Sequence, residues 1–165
     1  MSRVRSACAG AAIVLANSGC HHRTASAEPA GSNERVVHGI VSVTGTAFEQ
    51  RLVLQTGSGP LRLHAAARDS AALVHVQGTD VSVRGTDEPN ALRVETFTVI
   101  RVGRDSALDG YIRRDGGRLV LETTNGAFEL GNPPSGLRQL VGARVWVQGP
   151  LATGPNAYGV IIPPL

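Results

Sequence analysis

The segment RLVLQT at residues 51–56 returns as RLVLET at residues 118–123. A chain that writes one short strand twice at this separation encodes a small unit in two copies, and the rest of its fold has to be compatible with that repeat. The correspondence extends well past the hexapeptide. His38-Gly39-Ile40-Val41 finds Asp109-Gly110-Tyr111-Ile112, and Gly59-Pro60-Leu61-Arg62-Leu63 finds Gly126-Ala127-Phe128-Glu129-Leu130. Gly78-Thr79-Asp80-Val81 finds Gly142-Ala143-Arg144-Val145, and Leu92-Arg93-Val94 finds Tyr158-Gly159-Val160. The second copy is shorter in its first hairpin, where TGTAFEQ contracts to DGG.

Each copy reads as three strands, a short helical stretch and two more strands. Leu52 and Leu54 share one face of their strand, as do Val81 and Val83. The helical stretches fall at 68–76 and 135–141, where Leu73 and Val76, and Leu137 and Leu140, stand three apart on one helical face. Hydrophobic residues make up 42% of the chain and sustain a core, but aromatics are only 4%, so that core is aliphatic. Units of this size bury only about 60% of their unfolded surface. With a connector as short as 103–107, the two are expected to touch and stabilise each other.

Three strands, a helix and two strands is the order of the OB-fold, a small Greek-key barrel. The Gly-x-Val first strand, the fourth strand with its flanking glycines and the valine-rich fifth resemble bacterial periplasmic OB-fold families over residues 36–102 and 107–162. The resemblance implies an all-β chain with one short helix per module, built as two tandem five-stranded OB-like barrels at 36–102 and 107–165. An SH3-like barrel is the rival with similar strand numbers.

The N-terminus carries Arg3 and Arg5, then an apolar run from Ala7 to Ala16 that is too short to span a bilayer. It suits a signal peptide. The following ANSGC resembles a bacterial lipoprotein signal, which implies cleavage after residue 19 and acylation of Cys20; Asn17 departs from the usual aliphatic residue. Ordinary cleavage after Ala27 is the alternative, releasing a chain that starts at Glu28. Cys8 lies in the segment to be removed, so Cys20 is left without an intramolecular partner. A lone thiol in an oxidising compartment is a hazard that a thioether lipid removes. Residues 20–35, without periodicity, read as a tether. Cys20, His21 and His22 make a poor metal clip, being adjacent and without a partner cluster.

All 16 basic residues are arginine, and the sequence pI is about 9.5. From Cys20 onward, however, 14 Arg face 13 Asp plus Glu, which leaves no footprint for a polyanion. OB-folds that bind single strands stack bases on aromatics of strands two and three. Here those strands turn Arg51, Val53, Gln55 and Arg62 outward in the first copy, and Arg118, Val120, Glu122 and Glu129 in the second. Nucleic acid is therefore not an expected partner.

Two aromatics stand out. Trp146 alternates with Val145 and Val147, and Tyr111 precedes Ile112, so both rings face outward on strands expected to be neighbours. The pair reads as the contact between modules, with a docking patch for a peptide, lipid or glycan as the alternative. His38, His64 and His75 lack ligand spacing. Asp69, Asp80, Asp87 and Glu88 read as capping and solubilising acids, and Asp105 and Asp109 as linker acids. No nucleophile elbow or phosphate loop is present, so no catalytic residue, metal or cofactor is expected. The sequence thus points to an exported, lipid-anchored envelope protein acting as a non-enzymatic binding module. Its partners would be the membrane through Cys20 and an envelope protein or glycan. The alternatives are small-ligand or ion sensing at the seam between modules, and a soluble periplasmic protein of the same fold.

Overall fold

A computed structural model describes residues 33–46 and 49–165. The expected signal peptide, Cys20 and nearly all of the tether lie outside the described residues. The first unit comprises β1 (Glu34–Thr46), β2 (Glu49–Thr56), β3 (Gly59–His64), α1 (Ala67–His75), β4 (Asp80–Glu88) and β5 (Ala91–Val102). A two-residue strand, β6 (Asp105–Ser106), leads into β7 (Leu108–Asp115), β8 (Arg118–Thr123), β9 (Gly126–Glu129), α2 (Ser135–Arg138), β10 (Arg144–Gln148) and β11 (Ala157–Ile162). The chain is all-β, with one short helix in each of two tandem five-stranded units. Among the described residues no helix is long and apolar enough to cross a membrane.

In the first unit the order β3-β2-β1-β4-β5 closes on itself, because β3 and β5 pair in parallel from Arg62↔Ala91 to His64↔Arg93. This is the ring of pairings that an OB barrel requires. Alternation sends Val41, Leu54, Val81, Val83 and Val99 into an interior that excludes solvent completely. Leu73 of α1 and Val76, which caps its C-terminus, plug one end. The N-cap of α1 is Ala66, with no side-chain hydrogen bond, so Asp69 sits in the first turn without capping it. The closure is latched from outside by Glu88, which accepts from Nδ1 of His64 at 2.5 Å and pairs with Arg93. The His64 bond, with Arg93 beside it, holds the Glu88 carboxyl below its ordinary range.

Where the first strand meets the approach to the fourth, the second unit repeats two backbone bonds of the first. In the first, Val41 N–H donates to Thr79 O at 3.1 Å and Gly78 N–H to Val41 O at 2.8 Å; in the second, Ile112 N–H donates to Ala143 O at 2.9 Å and Gly142 N–H to Ile112 O at 2.8 Å. A Cβ on Gly39 would collide with the Gln55 carbonyl oxygen, and one on Gly110 would collide in the same way with that of Glu122. Both strands therefore need glycine for the same close backbone approach.

Three expectations need correction. First, the order β11-β10-β7-β8-β9 contains no ladder between β9 and β11, so the second unit is not the closed barrel expected. In the first unit only Pro89 and Asn90 separate β4 from β5, and β5 starts at once beside β3. In the second, eight residues, 149–156, separate β10 from β11, and this loop occupies the gap: Gly131 N–H donates to Leu151 O at 2.8 Å. Second, α2 is a single turn ending at Arg138 rather than reaching 141, and Gly142 at φ +91° then turns the chain into β10. Third, β1 starts at Glu34, inside the expected tether, because Glu34 and Arg35 pair with Thr86 and Gly85 and form ion pairs with Arg84 and Asp87.

The two units share apolar packing, as their size demands. Ala107 and Ile161 belong to the buried cluster of the first unit, with Trp146 and Ile162 packed against it. Ile161 gets there through a bulge. Val145 faces Val160 while Arg144 faces Ile162, leaving Ile161 as the extra residue. A bulge redirects a side chain to the opposite face, and Ile161 is fully buried.

Candidate binding site

β7 and β10 lie side by side, with Asp109 opposite Trp146 and Tyr111 opposite Arg144. Val145 and Val147 are buried in the second unit's own core. By alternation Arg144, Trp146 and Gln148, with Asp109 and Tyr111, project from the other face. That face meets β5. Since β3 accompanies β5 only from Ala91 to Arg93, the ladder groups further along this edge need partners elsewhere.

Side chains of the second unit supply them. Asp109 Oδ2 accepts from Val99 N–H at 2.8 Å, and Arg144 donates to Phe97 O. The two side chains also bind each other, with Nε to Oδ1 and Nη2 to Oδ2 both at 2.8 Å. Their side chains are only 15% and 2% exposed, so this is a buried, bidentate ion pair with further hydrogen bonds on both partners. The guanidinium stacks over the Phe97 ring at 4.5 Å. Farther along, Gln148 Nε2 donates to Val102 O at 2.9 Å and Asp105 O at 2.8 Å. At the other side of the seam, His75 Nδ1 at the end of α1 donates to Ile161 O at 3.0 Å.

Trp146 and Tyr111 therefore share a sheet face but have different surroundings. Trp146 is half-buried against the first unit's core cluster, with its indole over Gly159. Tyr111, also half-buried, lines an open cleft, with the Arg113 guanidinium 5.4 Å from its ring centre. The reading of Asp109 as a linker acid is corrected: it is buried, and it joins the two units. The signal lay in the repeat itself. Asp109 takes the place of His38 and Arg144 that of Asp80, so both positions change charge between copies, on the same parity as Trp146.

The cleft has a volume of about 450 Å³ and runs between β5 and the β7–β8 hairpin. Phe97 and the Arg144–Asp109 pair form its floor. Thr96, Thr98 and Glu95 of β5 make one wall; Tyr111, Glu122 and Thr123 make the other, and Asp69 of α1 closes an end. Glu95 accepts from the Thr86 hydroxyl at 2.7 Å and Glu122 from Arg113 Nε at 3.0 Å, which fixes both carboxylates. Among the described residues no three His, Cys, Asp or Glu side chains are grouped closely enough to hold a metal ion. The walls offer carboxylates, hydroxyls and one ring face. These suit a ligand with an ammonium or guanidinium group, or one rich in hydroxyls. His38, His64 and His75 do not reach this cleft.

The sequence matches no known protein family and no curated protein. Among solved structures, the complex of TiaS with its tRNA and ATP aligns at a TM-score of 0.34 with 9% identity, covering 79% of this chain and 31% of that one. Apo TiaS, a tRNA agmatidine synthetase, aligns at 0.34 with 12% identity, covering 79% and 32%. This chain thus spans about a third of the length of those proteins.

Proposed function

We propose that this chain is an exported, lipid-anchored protein of a bacterial envelope that works by binding, and that its ligand seats in the cleft at the seam. The observation that carries this reading is the cleft itself. Its walls belong to both units, its polar groups converge, and its floor is a salt bridge already fully engaged in holding the units together. A ligand there touches β5 and β7 at once and stabilises the joined form by mass action, by about 2.7 kcal/mol at a hundredfold excess over Kd. The ANSGC motif supports anchoring through Cys20, with residues 21–33 holding the folded part off the membrane surface.

Native mass spectrometry of the chain purified from its own envelope tests both halves of the proposal. A bound small molecule is expected on the wild type and is expected to be lost from Thr98→Trp, which fills the cleft. Equal adducts on both proteins, or none on either, contradict the site. The same spectra give the mature N-terminus, where acylated Cys20 is expected; a chain starting at free Glu28 contradicts the anchor.

A further inference from the structure

Each unit has a groove in the same place, between the strand-two end, strand three and the helix or loop that follows it. In the first it has a volume of about 380 Å³ and is lined by Arg51, Arg62, His64 and Ser70 over a base of Leu52 and Leu63. In the second it is about 270 Å³ and is lined by Arg114, Arg118, Glu129 and Arg138. From the charge difference between these equivalent grooves we infer that the first binds a small dianionic oxyanion, phosphate or a phosphate monoester, between Arg51 and Arg62, and that the second is closed to it by its own carboxylate.

The register makes the comparison direct. Val53 faces Arg62 in the first unit and Val120 faces Glu129 in the second. Arg62 is thus one diagonal step from Arg51, as Glu129 is from Arg118. Side chains on this diagonal reach each other, because Arg118 Nη1 lies 2.9 Å from Glu129 Oε2. Where the second unit has a cation and an anion in contact, the first has two guanidiniums. No carboxylate lines the first groove. The acid nearest Arg51 is Glu49, exposed and 3.7 Å away, and Arg62 has no ion-pair partner among the described residues. Two guanidinium forks at this spacing repel each other when empty and converge on one tetrahedral oxyanion when filled. The Ser70 hydroxyl adds a donor at the rim, while His64 Nδ1 is already engaged by Glu88. The second groove retains Arg114, but Arg118 is engaged by Glu129 and Arg138 Nε by Pro133 O at 3.0 Å.

The repeat supplies the experiment: exchange the two residues that differ. Equilibrium dialysis of the full chain against labelled inorganic phosphate, at ionic strength held constant with sodium chloride, should give one phosphate per chain. Arg62→Glu copies the second unit's ion pair into the first and is expected to weaken binding about tenfold or more while leaving the circular dichroism unchanged. Glu129→Arg copies the first groove into the second and is expected to raise the stoichiometry to two, a gain that misfolding cannot produce. Absence of binding by the wild type, equal binding by Arg62→Glu, or a stoichiometry of one in Glu129→Arg overturns the inference.

Discussion

Ile161→Ala is expected to destabilise residues 33–165 by about 2–5 kcal/mol, a large share of what a domain of this size possesses. The position gives no hint of this, being close to the C-terminus in an edge strand. Yet Ile161 faces the first unit's core and is fully shielded from solvent. It packs in one cluster with Leu73 of α1 and the capping Val76, and its backbone carbonyl accepts a hydrogen bond from His75 Nδ1. Truncation leaves a cavity that α1, held by its own strands, cannot collapse to fill. The neighbouring Val160→Ala removes a half-buried side chain and should cost much less. Urea denaturation of both variants checks the order; equal losses would mean that the bulge does not aim Ile161 into the first unit.

Arg144→Ala carries the second large effect, about 3–5 kcal/mol, because it strands the buried Asp109 carboxylate without its countercharge. Phe97 O also loses its donor on the free edge of β5. Replacing both partners by apolar residues often recovers a buried ion pair's cost. Here it should not, since Asp109 also accepts from Val99 N–H and an apolar residue would leave that amide unsatisfied. An Arg144→Met, Asp109→Leu double variant as stable as the wild type would show that the pair does no more than fill space.

These two residues also mark where reading the sequence succeeds and where it stops. Strands repeated as RLVLQT and RLVLET are legible because alternation is a local property, and Leu52, Leu54, Leu119 and Leu121 are all buried as alternation requires. Trp146 could be assigned outward by the same rule. Arg144 and Asp109 share its parity, but what they meet is the unpaired edge of β5, and an edge exists only once strands are arranged. The bulge that inverts Ile161 defeats alternation outright, since Gly159-Val160-Ile161-Ile162 carries no mark of the extra residue. The open second unit follows from the length of 149–156 against the two-residue turn at 89–90, a difference plain in the sequence whose consequence depends on where β3 and β9 end. The groove arginines are equally visible as letters. Their meaning comes from the diagonal that Arg118 and Glu129 bridge.

The seam makes one cooperative body of two copies, neither of which is complete alone. The chain contains a single tryptophan, Trp146, and it sits on that seam. Thermal unfolding followed by its fluorescence and by far-ultraviolet circular dichroism should therefore give coincident transitions, with one calorimetric peak. A tryptophan transition that precedes the loss of β-structure would show units that part before they melt, and would contradict the account.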